Sequence, residues 1–151
     1  MWWIHTFFTP KQRVNKEVYL DVLRYKVVPW MNRVARGREY TWQQDSAPCH
    51  TAKVVIKWLR ENVPHFWSPW HWPPNSPDCN PLDYWLWHRV VRVACKTHHN
   101  SLDQLKHDIS KAFRSLEMEE VERDVSKFRR RLQSVIDANG WHIEKKKKKS
   151  K

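Results

Sequence analysis

Apolar and polar residues alternate along this chain with two periods, and the change from one to the other marks its elements. Trp2 to Phe8 is aromatic and partly β-branched and is stopped by Thr9-Pro10, which predicts a strand. Val18, Val22, Leu23, Val27, Trp30, Met31 and Val34 then recur at spacings of three and four behind a capping Asn15, the signature of an amphipathic helix. Pro29 lacks a backbone donor and crowds the preceding turn, so a kink or an early end is expected near it, with Arg36-Gly37-Arg38 as the exit loop.

Tyr40 to Gln44 reads as a central strand, and His50 to Asn62 as a helix with Ala52, Val55, Trp58 and Leu59 on its inner stripe. His65-Phe66-Trp67 is a short strand ahead of a proline-rich loop from Ser68 to Pro81, whose prolines forbid a long ladder. The Trp67, Trp70 and Trp72 side chains in this region read as packing of an irregular loop on the sheet, or as platforms for base stacking. Asn80-Pro81 starts the next helix, with Leu82, Leu86, Val90 and Val93 on its apolar stripe. Ser101 caps another, carrying Leu102, Leu105, Ile109, Ala112, Phe113 and Leu116. A last helix is expected from Val121 to about Ala138, with Asn139-Gly140 as its stop. Strands alternating with helices and then helices alone predict an α/β architecture with a helical C-terminal part.

Charge adds a partner class to this outline. The 151 residues carry a formal net charge of +12, which points to a polyanion or an anionic surface. From Lys127 to the end, ten basic residues face only Asp137 and Glu144, so Arg129, Arg130, Arg131 and the run Lys145, Lys146, Lys147, Lys148, Lys149 are candidate nucleic-acid contacts. For the arginines, the competing reading is a solvated basic face on a packed helix. The lysine run also matches a nuclear-import signal, which makes the nucleus the expected compartment. Cys49, Cys79 and Cys95 form no Cys-x-x-Cys pair, and with His98 and His99 they match no zinc-module spacing. A reducing compartment is the simpler expectation, and no apolar run reaches the length of a membrane span, so no membrane partner is expected.

The candidate chemistry lies on two acidic segments. Trp42-Gln43-Gln44-Asp45-Ser46-Ala47-Pro48-Cys49-His50-Thr51-Ala52 places Asp45 at the end of a strand and the mouth of a strand-to-helix turn, where open α/β sheets hold their ligands. Pro73-Pro74-Asn75-Ser76-Pro77-Asp78-Cys79-Asn80-Pro81-Leu82-Asp83-Tyr84 places Asp83 on the first turn of a helix. Taken singly, Asp45 also reads as a turn-initiating aspartate, and Asp83 as an acid complementing a helix dipole.

Together the two segments resemble the second and third acidic motifs of the Tc1/mariner-family transposases. Thirty-seven residues separate Asp45 from Asp83, and with aspartate in third place this is most similar to the maT-like branch. The resemblance implies a ribonuclease-H-like fold and DNA transposition by three carboxylates and two divalent ions, Mg²⁺ or Mn²⁺, held about 3.5–4 Å apart. It assigns Asp45 and Asp83 as catalytic metal ligands and His50 as a group supporting Asp45. Asp78 competes with Asp83, but lies in the less preorganised loop.

The resemblance also implies that the first catalytic aspartate and the helix-turn-helix region stand upstream of Met1, and Asp21, on a helix, cannot replace that aspartate. Residues 1–143 are then expected to be the C-terminal part of a catalytic domain, with 144–151 as a lysine-rich tail, incomplete in metal ligands and inactive alone. The Trp2 to Phe8 strand is expected to be loosely held or re-paired beside the central one. DNA is the implied partner, with a second copy or an intact transposase as protein partners. The other function class is a non-enzymatic basic module that binds DNA or a partner.

If the tail neutralises phosphates, deleting residues 145–151 flattens the log–log salt dependence of duplex binding by about 0.9 for each phosphate no longer neutralised. Fluorescence anisotropy across a salt series measures this, and an unchanged slope would make the tail a bystander.

Overall fold

The computed structural model describes residues 4–71 and 76–143. Two compact units divide the chain, residues 1–74 and 75–151, and each has its own interior. The lysine run and Trp72 lie outside the described residues.

In the first unit, Asn15 caps α1 (Lys16–Val22) by accepting the Val18 N–H at 2.9 Å. The helix widens into a π turn at Leu23–Val27 and returns to α geometry in α2 (Val28–Ala35). Of the kink or early end expected near Pro29, the early end does not occur. The π turn sends the Val28 N–H to the Leu23 carbonyl, five residues back, so Pro29 sits at the start of a fresh α segment, where a missing donor costs least. Arg36 and Gly37, both with positive φ, terminate it.

β1 (Thr41–Trp42), α3 (Lys53–Asn62) and β2 (His65–Phe66) follow as a βαβ unit. The strands pair in parallel, Thr41 opposite His65 and Trp42 opposite Phe66, which is the arrangement a helical crossover permits. Leu20, Leu23, Val28, Val55, Leu59 and Val63 form the core, flanked by Tyr40, Trp42 and Phe66 from the strands. The ladder is shorter than the expected Tyr40 to Gln44. α3 likewise starts three residues later than His50, because Pro48 to Thr51 is spent on a turn in which His50 and Thr51 donate to the Ala47 carbonyl. The expected N-terminal strand is not found among its described residues. Residues 4–8 are irregular and join no ladder, as β1 pairs only with β2, so extended aromatic sequence alone does not make a strand without a hydrogen-bonding neighbour.

The second unit is helical. Asn80 caps its first helix by accepting the Leu82 N–H at 3.1 Å, and the chain enters a π turn at Leu82–Leu86 before α4 (Trp87–Ala94). α5 (Leu102–Arg114), capped by Ser101, packs on α4 through Leu86, Val90, Ala94, Ala112 and Phe113, with Trp87 edge-on to Phe113. Leu82 stays exposed rather than joining the stripe, because the wide turn shifts the phase of the first apolar position. The expected single last helix is two, α6 (Met118–Val125) and α7 (Phe128–Asp137), broken where Ser126 Oγ donates to the Arg123 carbonyl and competes with the ladder. Asn139 and Gly140, both at positive φ, close α7, with the Gly140 N–H reaching the Val135 carbonyl at 2.8 Å. No described helix is long and apolar enough to cross a membrane.

Asp124, buried at the α6–α7 break, is held by Arg123 and Lys127. Burial alone would raise its pKa, but the hydrogen bonds from Lys127 and Arg123 outweigh it and the carboxyl titrates below its usual range. A depressed pKa gives stability that is present above the unfolded value of about 3.9 and is lost as pH falls through the folded one. The stability gap between the native chain and Asp124→Asn, measured by urea unfolding, should therefore be full at pH 7 and shrink below about pH 3.9.

Candidate functional site

Asp45 lies three residues beyond β1, and its position depends on the residue before it. Tyr40, Trp42 and Gln44 share one strand face, and the first two pack against the core, so Gln44 is carried inward and is only 6% exposed. Both its amide oxygen and its amide nitrogen are bonded there. Oε1 accepts from the Tyr19 hydroxyl at 3.0 Å and the Trp42 indole at 3.2 Å, while Nε2 donates to the His50 carbonyl at 2.9 Å. One buried amide thus ties α1, β1 and the turn after Asp45 together. Burial, followed by the nearby Cys49 and Asp45, pushes the Tyr19 phenol well above its ordinary pKa, so it remains a donor.

Asp45 itself points outward, its side chain 58% exposed. Oδ1 accepts from the Ala47 N–H at 3.0 Å and lies 2.5 Å from His50 Nδ1. Both contacts fall on the same oxygen, which leaves Oδ2 directed to other use. The His50 ring is stacked at a tilt on Tyr19, centroids 4.4 Å apart, so the imidazole that braces Asp45 is itself braced.

Asp83 is exposed on the π turn of the second unit. Its neighbour Tyr84 anchors that turn, donating to the Asp124 carbonyl at 2.7 Å and receiving the Arg131 guanidinium on its ring face at 4.3 Å. Arg131 also donates through Nε to the Asp78 carbonyl. Asp78 is buried and accepts the Ile143 N–H on Oδ2 at 3.1 Å. Arg131, expected among the nucleic-acid contacts, instead faces inward as a clamp on the Asp78 loop, whereas Arg129 and Arg130 are exposed. Cys79 is fully buried, and burial followed by Asp78 raises its thiol pKa, as fits a packed residue.

Among the described residues, no cluster of three or more His, Cys, Asp or Glu side chains is gathered for a metal. The donor chemistry at each acid nevertheless suits a hard divalent ion, which takes carboxylate oxygen and keeps several waters. Sequence reasoning missed Gln44, Tyr19 and the clamp role of Arg131. The signal for Gln44 was an uncharged polar residue on the inward parity of an aromatic strand. Arg131 carried no such signal, because its partners lie 47 to 53 positions away along the chain.

Gln44→Ala would strip two donors and one acceptor of their partner, at a cost of about 1–3 kcal/mol for the groups left unsatisfied. Urea unfolding measures the loss, and the His50 ring resonances should shift together with the Asp45 carboxylate in NMR spectra.

No protein-family model matches the chain. It is 30% identical over 140 residues to the Tcb2 transposable-element transposase of Caenorhabditis briggsae, covering 90% of this chain and 50% of the relative. It is also 30% identical to the Tc1 transposase of Caenorhabditis elegans over 124 residues, 82% of this chain and 43% of that one. The chain spans about half the length of the curated relatives it matches. In fold it is similar to the Mos1 transposase catalytic domain solved with Raltegravir and Mn, with a TM-score of 0.71 and 21% identity over 90% of this chain and 68% of that one. The Mos1 Strand Transfer Complex gives 0.73 and 24% over 89% and 38%. The chain's homologues are thus Tc1-type transposases, and its fold is similar to the ribonuclease-H-like fold of the Mos1 catalytic domain, with a helical C-terminal part.

Proposed function

We propose that Asp45 and Asp83 are metal-binding carboxylates of a transposase catalytic domain that cleaves and joins DNA strands with Mg²⁺ or Mn²⁺. The observation that carries this reading is the bracing of Asp45. Ala47 and His50 engage one carboxylate oxygen, the Gln44 amide holds the His50 backbone, and the second oxygen is left for a cation. Such preorganisation is more than a turn-initiating aspartate needs. It favours a catalytic ancestry over a non-enzymatic basic module.

Bound divalent ions would activate the attacking oxygen and stabilise the leaving one. The part of this chain is to keep Asp45 oriented through His50, and to keep the Asp83 turn in place through Tyr84 and Arg131. The use of Mn and Mg in solved Mos1 catalytic-domain structures supports the choice of ions, and the Mos1 strand-transfer and paired-end complexes support DNA as the substrate. With DNA as substrate the proposal places the protein in the nucleus, Lys145 to Lys149 acting as the import signal.

A Mn²⁺ titration followed by NMR line broadening tests the assignment. The amides flanking Asp45 and Asp83 should broaden first, and Asp45→Ala or Asp83→Ala should weaken Mn²⁺ binding by at least about tenfold, since loss of even a group that only supports a ligand costs about 10–100-fold. Broadening spread evenly over the acidic side chains, unchanged in both variants, would overturn it.

A further inference from the structure

Trp70 is 73% exposed, an unusual state for the largest apolar side chain, and the turn that carries it is firmly built. The 3₁₀ turn Pro69–His71 rests on buried Ser68 and Pro69, with Ser68 Oγ 2.8 Å from His71 Nδ1 and the His71 N–H donating to the Ser68 carbonyl. The indole is therefore presented by a turn whose two ends, Ser68 and His71, are bonded to each other. It forms one wall of a groove of about 270 Å³, whose other wall is α3. Along that wall Lys53, Lys57 and Arg60 stand at i, i+4 and i+7, all exposed, on one face spanning about 10 Å of helix. Ile56 forms the floor, and Glu61 is the one acid among the described lining residues.

We infer that this groove binds unpaired nucleic acid, one base stacking on the Trp70 indole and the adjoining phosphates lying along Lys53, Lys57 and Arg60. Three cations against one carboxylate select a polyanion. The exposed indole then selects among polyanions, since it rewards a flat π-face, which an unpaired base offers and a duplex keeps stacked away. The expectation that the tryptophans of this region are packed inward does not hold for Trp70, and stacking gives its exposure a use. The groove lies wholly within the first unit and uses neither Asp45 nor Asp83, so it goes beyond the proposed metal chemistry and can be tested without metal.

The experiment measures binding of residues 1–151 to fluorescein-labelled dT15 and to a 15-bp duplex by anisotropy, in EDTA, across a salt series. Trp70→Ala should weaken dT15 binding by about tenfold with the salt slope kept, while duplex binding through the other basic residues changes less than about twofold; Trp70→Phe should recover most of the affinity. Lys57→Glu with Arg60→Glu should flatten the dT15 salt slope by about 0.7 or more, the equivalent of one phosphate. Far-UV circular dichroism verifies that each variant is folded. Equal losses for dT15 and duplex in Trp70→Ala, no loss at all, or poly-glutamate competing as well as dT15 at equal charge would overturn the inference. Because no metal is present, failure here leaves the Mn²⁺ assignment untouched, and loss of Mn²⁺ binding leaves the groove untouched.

Discussion

The Gln44 side chain is the constraint on which the first unit's functional end depends. A buried primary amide must satisfy both its oxygen and its nitrogen or lose free energy, and at Gln44 the available partners come from three separate elements. Satisfying them sets the height of Tyr19 on α1, the orientation of the Trp42 indole on β1 and the path of the chain at His50. The last of these matters most. With the His50 backbone held, its ring can rest on Tyr19 and present Nδ1 to Asp45, so an exposed carboxylate inherits its orientation from a buried neighbour. An amide suits this role better than a carboxylate would, since it offers donor and acceptor without carrying a charge into the core.

In the second unit the same task falls to a cation. Arg131 lies against the Tyr84 ring and bonds the Asp78 carbonyl, and Tyr84 in turn bonds the Asp124 carbonyl, so α7, the loop before Asp83 and the α6–α7 break meet at one point. Asp124 is paired by Arg123 and Lys127 at that same break. Of the cations that a sequence reading allots to DNA, Arg131 is thus spent in holding the helical unit together. Arg129 and Arg130 remain outward.

Two helical segments begin or continue through a π turn, Leu23–Val27 in one and Leu82–Leu86 in the other. In the first, the wide turn lets Pro29 be absorbed without ending the helix. In the second it carries Asp83 and turns Leu82 away from the buried stripe that Leu86 and Val90 keep. π turns are rare, cost hydrogen-bond quality, and recur where a helix must present a side chain out of the regular phase.

The sequence by itself determined the helical stripes, the caps at Asn15, Asn80 and Ser101, the Asn139-Gly140 stop, the strand–helix–strand order, and the likeness to Tc1/mariner transposases, because these depend on local period, capping chemistry and motif. Only the tertiary structure decided what depends on partners distant along the chain. Residues 4–8 have strand composition but no ladder neighbour, α6 and α7 are two helices because Ser126 satisfies a carbonyl locally, and Arg131 turns inward because Tyr84 and Asp78 are there to receive it. The candidate site divides the same way. Asp45, Asp83 and His50 are legible as motif positions, whereas the work of Gln44 and Tyr19 exists only once a helix, a strand and a turn have converged on one buried amide.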